Sequence, residues 1–324
     1  MEKHIDRARA GSRLLRLFGF GVLSIVFLLG VSLAWGFLTS VPRSPAQSAA
    51  AAEVLSERAP FSALSLRAKG AFVVDTSTGT ILYTSAPDAQ LPLASLTKVA
   101  LALVAAEVVA PDTAITIPRD VPASSSTGKL PAGSRFRAGD LISWMLVGSS
   151  NDAAEILAQA IDDPLTSRYR DAPVGRAAVW RMNDLARALG LTHTYFLNPS
   201  GLDESPTQSG AYGSARDVAA LFAYAVQTDL MLFADTSQDS VTITSLEGKA
   251  AMSFNTDKVL AEIPGLLMGK TGYTDLAGGN LAIAFDASPN HRIVAVVLGS
   301  TQEGRFEDMR AIASAARDAF SVAR

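Results

Sequence analysis

A serine and a lysine at positions 95 and 98 stand one helical turn apart, which would place their side chains on the same helix face. A serine hydroxyl is a poor nucleophile and needs a base within hydrogen-bond reach. Lysine can be that base when burial or a neighbouring cation lowers its pKa. The spacing alone is weak evidence, because an ordinary helix start with a solvated lysine has the same pattern. The spacing also recurs at Ser126 and Lys129, where nearby glycine and prolines indicate a loop.

A second candidate element is Lys270-Thr271-Gly272, which we interpret as the edge of a strand. A lysine at this place offers a fixed cation for a carboxylate, and the threonine offers a hydroxyl donor. The glycine is expected to let a substrate backbone approach closely. Taken by itself, the tripeptide could equally be a turn.

A third element, Ser149-Ser150-Asn151, falls at the break between two predicted helices. A loop there can project across a cleft. The same serine-x-asparagine spacing occurs at 253–255 and 288–290, so the element has little specificity of its own. Ser149 and Asn151 could also act only as helix caps.

Composition excludes several other functions. The chain has no cysteine, so thiol nucleophiles, disulfides and cysteine metal sites are absent, and its three histidines form no HExxH zinc motif. A net charge of -3 argues against nucleic-acid binding, which usually requires a basic patch. The nucleophile elbow GxSxG is also missing.

Periodicity indicates the elements that would position these residues. A hairpin is predicted at 71–83 and two antiparallel strands at 281–285 and 292–298, followed by a C-terminal helix. Between these ends, helices are predicted at 95–109, 141–147, 152–161, 177–189 and 218–226. Strands at both ends predict an α+β fold in which one sheet is closed from both termini, and the middle helices form a second lobe. We expect the site in the cleft between the lobes.

The N-terminal region sets the expected location. Residues 17–38 are almost wholly apolar and follow a basic segment, which predicts a transmembrane anchor after a cytoplasmic tail at 1–16. A cleaved signal peptide is the alternative, although its apolar region is usually shorter. Residues 39–64 are rich in Ala, Ser and Pro and predict a linker, leaving 65–324 as the folded domain outside the cytoplasm.

The three candidate elements occur in one order and in suitable contexts, which makes the set far more specific than any member. With their surroundings they resemble the D-alanyl-D-alanine carboxypeptidase family, which comprises low-molecular-mass penicillin-binding proteins. The resemblance covers roughly residues 69–320. It implies a β-lactamase/transpeptidase-like fold. The matching segments are Phe72–Tyr83, Leu91–Lys98, Ser149–Ala154, Asn198–Asp203, Ser214–Asp217 and Lys270–Thr274.

This resemblance implies a role for each matching residue. Ser95 would attack the carbonyl between two D-alanines, with Lys98 as general base. Ser149 would relay a proton to the departing amine, and Asn151 would hold the substrate and orient Lys98. The chain departs from the family at Ser150, where many members have glycine.

The resemblance also implies a second group of residues, which would bind the terminal carboxylate of the substrate. Lys270 would attract that carboxylate and help lower the pKa of Lys98, while Thr271 and Arg305 would bond to it. The N–H groups of Ser95 and Tyr273 would form the oxyanion hole; some members have histidine at position 273. The expected substrates are peptidoglycan stem peptides, β-lactams would acylate Ser95, and no metal or organic cofactor is needed.

Three other functions stay open on sequence grounds. An endopeptidase of the same family would cut D-alanyl cross-links with the same motifs. A β-lactamase is less favoured because no ExxLN-like segment lies between Asn151 and Lys270. A catalytically silent peptidoglycan-binding protein would have no need of Lys98.

Overall fold

The computed structural model describes residues 59–119 and 129–321. The predicted cytoplasmic tail, the apolar segment 17–38 and most of the predicted linker lie outside these residues. Ser126 of the second serine–lysine pair lies outside them as well.

A five-stranded antiparallel sheet forms the centre of the described domain, in the strand order β10-β11-β12-β1-β2. Among the described residues, the last strand, β12, therefore pairs with the first, β1, and Phe72 lies opposite Val296. The predicted hairpin and the predicted antiparallel pair are both confirmed. The five strands are β1 (Gly70–Asp75), β2 (Thr80–Ser85), β10 (Leu266–Thr274), β11 (Gly278–Ser288) and β12 (His291–Ser300).

The other strands of the described residues are shorter and lie outside the main sheet. Three small sheets join β3 with β7 and β6, β4 with β5, and β8 with β9. Their bounds are β3 Leu91–Pro92, β4 Ala114–Thr116, β5 Arg135–Arg137, β6 Tyr195–Phe196, β7 Ala211–Gly213, β8 Ser240–Thr244 and β9 Ala250–Phe254. The β8–β9 hairpin was not predicted from the sequence.

Helices occupy most of the chain between β2 and β8, as predicted. These are α2 (Thr97–Val108), α3 (Ala138–Val147), α4 (Asn151–Ala160), α5 (Asp162–Arg168), α6 (Ala177–Ala188) and α7 (Ala215–Asp229). Two further helices lie outside this stretch, α1 (Ala59–Ser62) before β1 and α8 (Gly304–Ser321) after β12. Short 3₁₀ helices lie at Ala94–Leu96, Leu230–Ser237 and Leu260–Glu262.

The sheet is buried on both faces, and its side chains alternate between two separate cores as the two-residue period of a strand requires. Phe72 and Val296 belong to the core shared with the helical lobe and α7. Ala71 and Val73 belong to the opposite core, which α8 covers. The central helix α2 is buried along most of its length, as its apolar sequence predicts.

One boundary in the predicted organisation needs correction. Helix α1 falls inside the predicted linker 39–64, and Phe61 within it is only 2% exposed. Its ring stacks on Tyr83 of β2, with ring centroids 6.3 Å apart, and packs in the core under α8. Packed structure therefore begins before residue 65. A single aromatic residue in an Ala/Pro-rich stretch gave no periodic signal.

In the described part of the chain, Ala215–Ser237 is the only helical stretch long and apolar enough to cross a membrane. Its residues Phe222 and Phe233 are fully buried in the domain core, and α7 packs on strands β1 and β12. This segment is therefore a core helix of the folded domain.

Candidate active site

Ser95 lies in the 3₁₀ turn that leads into α2 and is half-buried. The preceding residue, Ala94, has a left-handed φ of +48°, a strained conformation for a residue with a side chain. A hydrogen bond stabilises the turn, because the Thr97 hydroxyl donates to the Ala94 carbonyl at 2.7 Å. Gly201 packs so closely that a Cβ there would lie 1.9 Å from that carbonyl oxygen. The serine is therefore presented on a rigid turn.

The amine of Lys98 is fully buried and has three close neighbours. Its Nζ lies 2.8 Å from Ser95 Oγ, 2.8 Å from Asn151 Oδ1 and 2.8 Å from the Ser200 carbonyl oxygen. The last two atoms can only accept hydrogen bonds. A neutral amine has two N–H groups and one lone pair, so two acceptors leave the lone pair for the Ser95 hydroxyl. This geometry suits a base that takes the serine proton.

The pKa of Lys98 is lowered to about 7, and burial is the leading cause because it penalises the charged ammonium. The carboxylate of Glu155 acts in the opposite direction. The resemblance implies that Lys270 helps to lower this pKa. In the structure, the causes that act on Lys98 are burial and Glu155, while the pKa of Lys270 is lowered by burial and then by the charge of Lys98.

Ser149 lies between α3 and α4 with a left-handed φ of +57°. The capping role left open for Ser149 and Asn151 belongs to Ser150, whose hydroxyl accepts from the Ala153 N–H at 3.2 Å. Ser149 instead places its hydroxyl 2.8 Å from the Nζ of Lys270. Asn151 begins α4 and directs its amide oxygen to Lys98. The side chains on either side of Ser150 thus contact the two lysines of the candidate site: Ser149 contacts Lys270, and Asn151 contacts Lys98.

The other two copies of the serine-x-asparagine spacing lie elsewhere. Ser253 is buried in β9, and Asn290 is at the turn between β11 and β12. The choice of 149–151 from its position between two helices therefore matches the structure.

Lys270 and Thr271 lie on β10 at the edge of the main sheet, where both are almost fully buried. The Lys270 amine donates to the Thr271 carbonyl at 2.9 Å as well as contacting Ser149. The Thr271 hydroxyl lies 2.5 Å from that of Thr256, a partner that the sequence did not indicate.

Gly272 is required for a reason other than the predicted one. A Cβ at this position would lie 2.8 Å from the Leu93 carbonyl oxygen and 3.3 Å from the Ser95 nitrogen. The glycine therefore lets strand β10 approach the serine turn. The predicted substrate contact of Gly272 itself stays a prediction.

Arg305, at the start of α8, is 6% exposed and donates to the Gly272 carbonyl at 2.7 Å. Its guanidinium lies 6.0 Å from the centre of the exposed Tyr273 ring. Its Nε is buried without a partner among the described residues. The structure therefore places Arg305 beside the lysine–threonine–glycine strand, as its predicted role requires.

Sequence reasoning missed two groups that complete the site. Ser200 contributes only a backbone carbonyl to Lys98, so its side chain carried no signal. Asp257 is a buried acid whose Oδ2 would lie 3.1 Å from a Cβ at Gly269, and burial raises its pKa against the pull of Arg305 and Lys270. Within 59–119 and 129–321, no group of three His, Asp or Glu residues is arranged to hold a metal ion.

Together the fold and these contacts define a serine–lysine acyl-transfer site between a helical lobe and the edge of an antiparallel sheet. The family model described as D-alanyl-D-alanine carboxypeptidase matches residues 56–302, which is most of the chain. The chain therefore belongs to the D-alanyl-D-alanine carboxypeptidase family, as its motifs predict.

Individual relatives agree with this membership. The chain is 30% identical over 233 residues to D-alanyl-D-alanine carboxypeptidase DacB2 of Mycobacterium tuberculosis, covering 72% of this chain and 75% of that protein. A D-alanyl-D-alanine endopeptidase of Pseudomonas aeruginosa is 28% identical over 243 residues, and the match covers 72% of this chain and 73% of that protein.

 

A solved structure, that of penicillin-binding protein D2 from Listeria monocytogenes in its cefotaxime-bound form, superposes with a TM-score of 0.65 at 27% identity. The match covers 78% of this chain and 98% of that one. Several further relatives are longer proteins, and the chain spans between 57% and 60% of their lengths. These matches support the predicted transpeptidase-like fold.

Proposed function

We propose that this protein is a serine D-alanyl-D-alanine carboxypeptidase that removes the terminal D-alanine from peptidoglycan stem peptides. The observation that carries the proposal is the arrangement around Lys98. Two acceptors occupy the N–H groups of a buried amine, so its lone pair is directed at the Ser95 hydroxyl. A silent binding protein has no use for an amine buried at this cost.

In the proposed reaction, Ser95 Oγ bonds to the carbonyl carbon between the two D-alanines while its proton passes to the neutral Lys98 amine. The tetrahedral intermediate then collapses and the C–N bond breaks. The departing D-alanine nitrogen takes the proton that Lys98 received, and the relay proposed for it is the Ser149 hydroxyl, which lies 2.8 Å from the Lys270 amine. Water attacks the ester that remains on Ser95 and releases the shortened peptide.

Recognition of the substrate's terminal carboxylate is proposed for Lys270, Thr271 and Arg305. Two of these residues are cations, and all three are gathered at the end of β10 that faces the serine turn. Arg305 is held at this end of the strand by the hydrogen bond that it donates to the Gly272 carbonyl at 2.7 Å. The same contacts would hold the carboxylate of a β-lactam, and the related Listeria structure contains cefotaxime.

The proposed location is the outer side of the cell membrane, with residues 17–38 as the anchor. The support is the length and composition of this segment and the five Lys and Arg residues before it. Alkaline extraction of membranes, followed by protease treatment of intact cells, tests this location. An anchored domain outside the cytoplasm should stay with the membrane and be digested.

The central experiment is mass analysis of the intact protein after incubation with benzylpenicillin. We expect one adduct, mapped to the peptide that contains Ser95. Replacing Lys98 with Ala should slow formation of the adduct by about 10² to 10⁴-fold, the usual contribution of a positioned base. The exposed Lys258 provides a control, and its replacement with Ala should leave the rate unchanged. An adduct on another residue would contradict the proposal.

A second candidate function is D-alanyl-D-alanine endopeptidase, because a relative of that name covers 72% of the chain, the same share as the DacB2 relative. Digestion of cross-linked and uncross-linked muropeptides distinguishes the two. A carboxypeptidase releases free D-alanine from pentapeptides and leaves cross-links intact. Rapid turnover of nitrocefin would instead identify a β-lactamase.

A further inference from the structure

Glu155 lies one helical turn after Asn151 on α4, so the two side chains project from the same side of the helix. Asn151 uses its amide oxygen to hold the Lys98 amine. The Glu155 carboxylate is the acidic group that acts on the charge of this amine. None of the catalytic motifs includes Glu155.

Ser200 links Glu155 to Lys98. Its carbonyl accepts from the Lys98 amine at 2.8 Å, while its hydroxyl lies beside the Glu155 carboxylate. The hydroxyl also lies 3.3 Å from Asn198 Oδ1, which orients this loop. One buried residue therefore contacts the base on one side and the acid on the other.

A cavity of about 480 Å³ lies on the outer side of this contact. Glu155, Asn198 and Pro199 line it, together with Asp162, Asp163 and Arg176. The Asp162 carboxylate is already bonded to the N–H groups of Gly175 and Ala177. Glu155 is thus in contact with solvent while remaining close to the buried amine.

We propose that Glu155 is a positioning residue of the active site, which acts on Lys98 across Ser200. The inference rests on the proposed function of Lys98 as the base. The carboxylate stabilises the ammonium form and so opposes the effect of burial on the pKa of Lys98. It keeps the pKa near neutrality, where a base both accepts and returns a proton efficiently.

The surrounding charges define the pH range of the effect. The charge of Lys98 also acts on Lys270. Burial chiefly raises the pKa of Glu155, Lys98 and the Ser200 hydroxyl oppose this rise, and the charges of Glu204 and Asp152 add to it. Removing the charge of Glu155 should lower the pKa of Lys98. The difference from wild type should vanish at low pH, because Glu155 is then protonated in the wild type too.

The test compares the pH dependence of Ser95 acylation by a fluorescent penicillin in the wild-type protein, Glu155→Gln and Asp163→Asn. The acid limb of Glu155→Gln should move to lower pH by about one unit, as expected for one charge at this range. Asp163→Asn is the matched control, because Asp163 lines the same cavity without acting on Lys98. Its acid limb should coincide with that of the wild type.

A coincident acid limb in Glu155→Gln, or an equal movement in Asp163→Asn, would overturn the inference. NMR titration of the Lys98 ¹³Cε resonance, assigned by its loss in Lys98→Arg, provides a second readout. A lower midpoint in Glu155→Gln supports the inference, and an unchanged midpoint refutes it. Because this titration needs no acylation, failure of the wild type to react with penicillin would count against the proposed function alone.

Discussion

The amine of Lys270 lies 2.8 Å from the hydroxyl of Ser149 and joins the sheet edge to the helical lobe. Ser149 adopts a left-handed backbone conformation between two helices, and the lysine is buried on β10. The contact therefore depends on one strained residue and one desolvated cation. Such costs are found where a side chain must be held in one place for function.

This contact yields a prediction for position 149. Ser149→Gly and Ser149→Ala both remove the hydroxyl, so both should lower turnover of a D-alanyl-D-alanine peptide by about 10²-fold. Only glycine relieves the φ of +57°, and it should be more stable than alanine by about 1 kcal/mol. Steady-state kinetics and urea unfolding measure the two effects. Wild-type turnover in either variant would exclude the relay role.

The pH dependence of acylation in the wild-type protein follows from the pKa of Lys98, which is lowered to about 7. Below that pH the amine gains a proton and loses the lone pair that accepts from Ser95. The second-order acylation rate should therefore fall about tenfold per pH unit on the acid side. Stopped-flow acylation between about pH 5 and pH 9 gives the profile. A rate constant that stays level down to pH 5 would disagree with a lysine base.

Gly272 offers a test of how strand β10 supports the serine turn. In Gly272→Ala the new Cβ would lie 2.8 Å from the Leu93 carbonyl oxygen, so the turn must move. Acylation should drop at least about tenfold, and the free energy of unfolding should fall by about 1–3 kcal/mol. Gly79→Ala is the control, because φ is +74° but no atom lies within 4 Å. It should cost about 1 kcal/mol and leave acylation unchanged.

The position of Phe61 predicts that the N-terminal edge of the domain contributes to stability. Phe61→Ala should lower the free energy of unfolding by about 3 kcal/mol, because it removes a ring that is 2% exposed. Val174→Ala is a suitable control, since Val174 is 83% exposed and should change stability by less than about 0.5 kcal/mol. Denaturant unfolding measures both. Equal values would show that residues before 65 act only as a linker.

The sequence supported prediction of the long elements and of the reacting side chains. The pair Ser95 and Lys98 could be found because a three-residue spacing on a helix brings side chains together regardless of the rest of the fold. The position of Lys270 on an edge strand could be inferred from the apolar residues before it and from its place just before the final pair of strands. Each of the three motifs is common by itself, and their order along the chain made the family assignment specific.

Backbone and packing contributions could not be predicted in the same way. The Ser200 carbonyl binds Lys98, yet any residue type supplies a carbonyl. The need for Gly272 arises from Leu93, which is far away in sequence. The β8–β9 hairpin has exposed apolar residues at Met252 and Phe254, which obscure the alternation expected of a strand. Such features depend on tertiary neighbours.

The pairing of β1 with β12 has a consequence for when this protein can work. Residues near 70 must wait for partners near 295, because they have no other neighbour on that side of the sheet. Pairing over such a separation is slow, since a very long loop must close first. The catalytic cleft therefore comes into being only after synthesis has passed strand β12, which ends at Ser300.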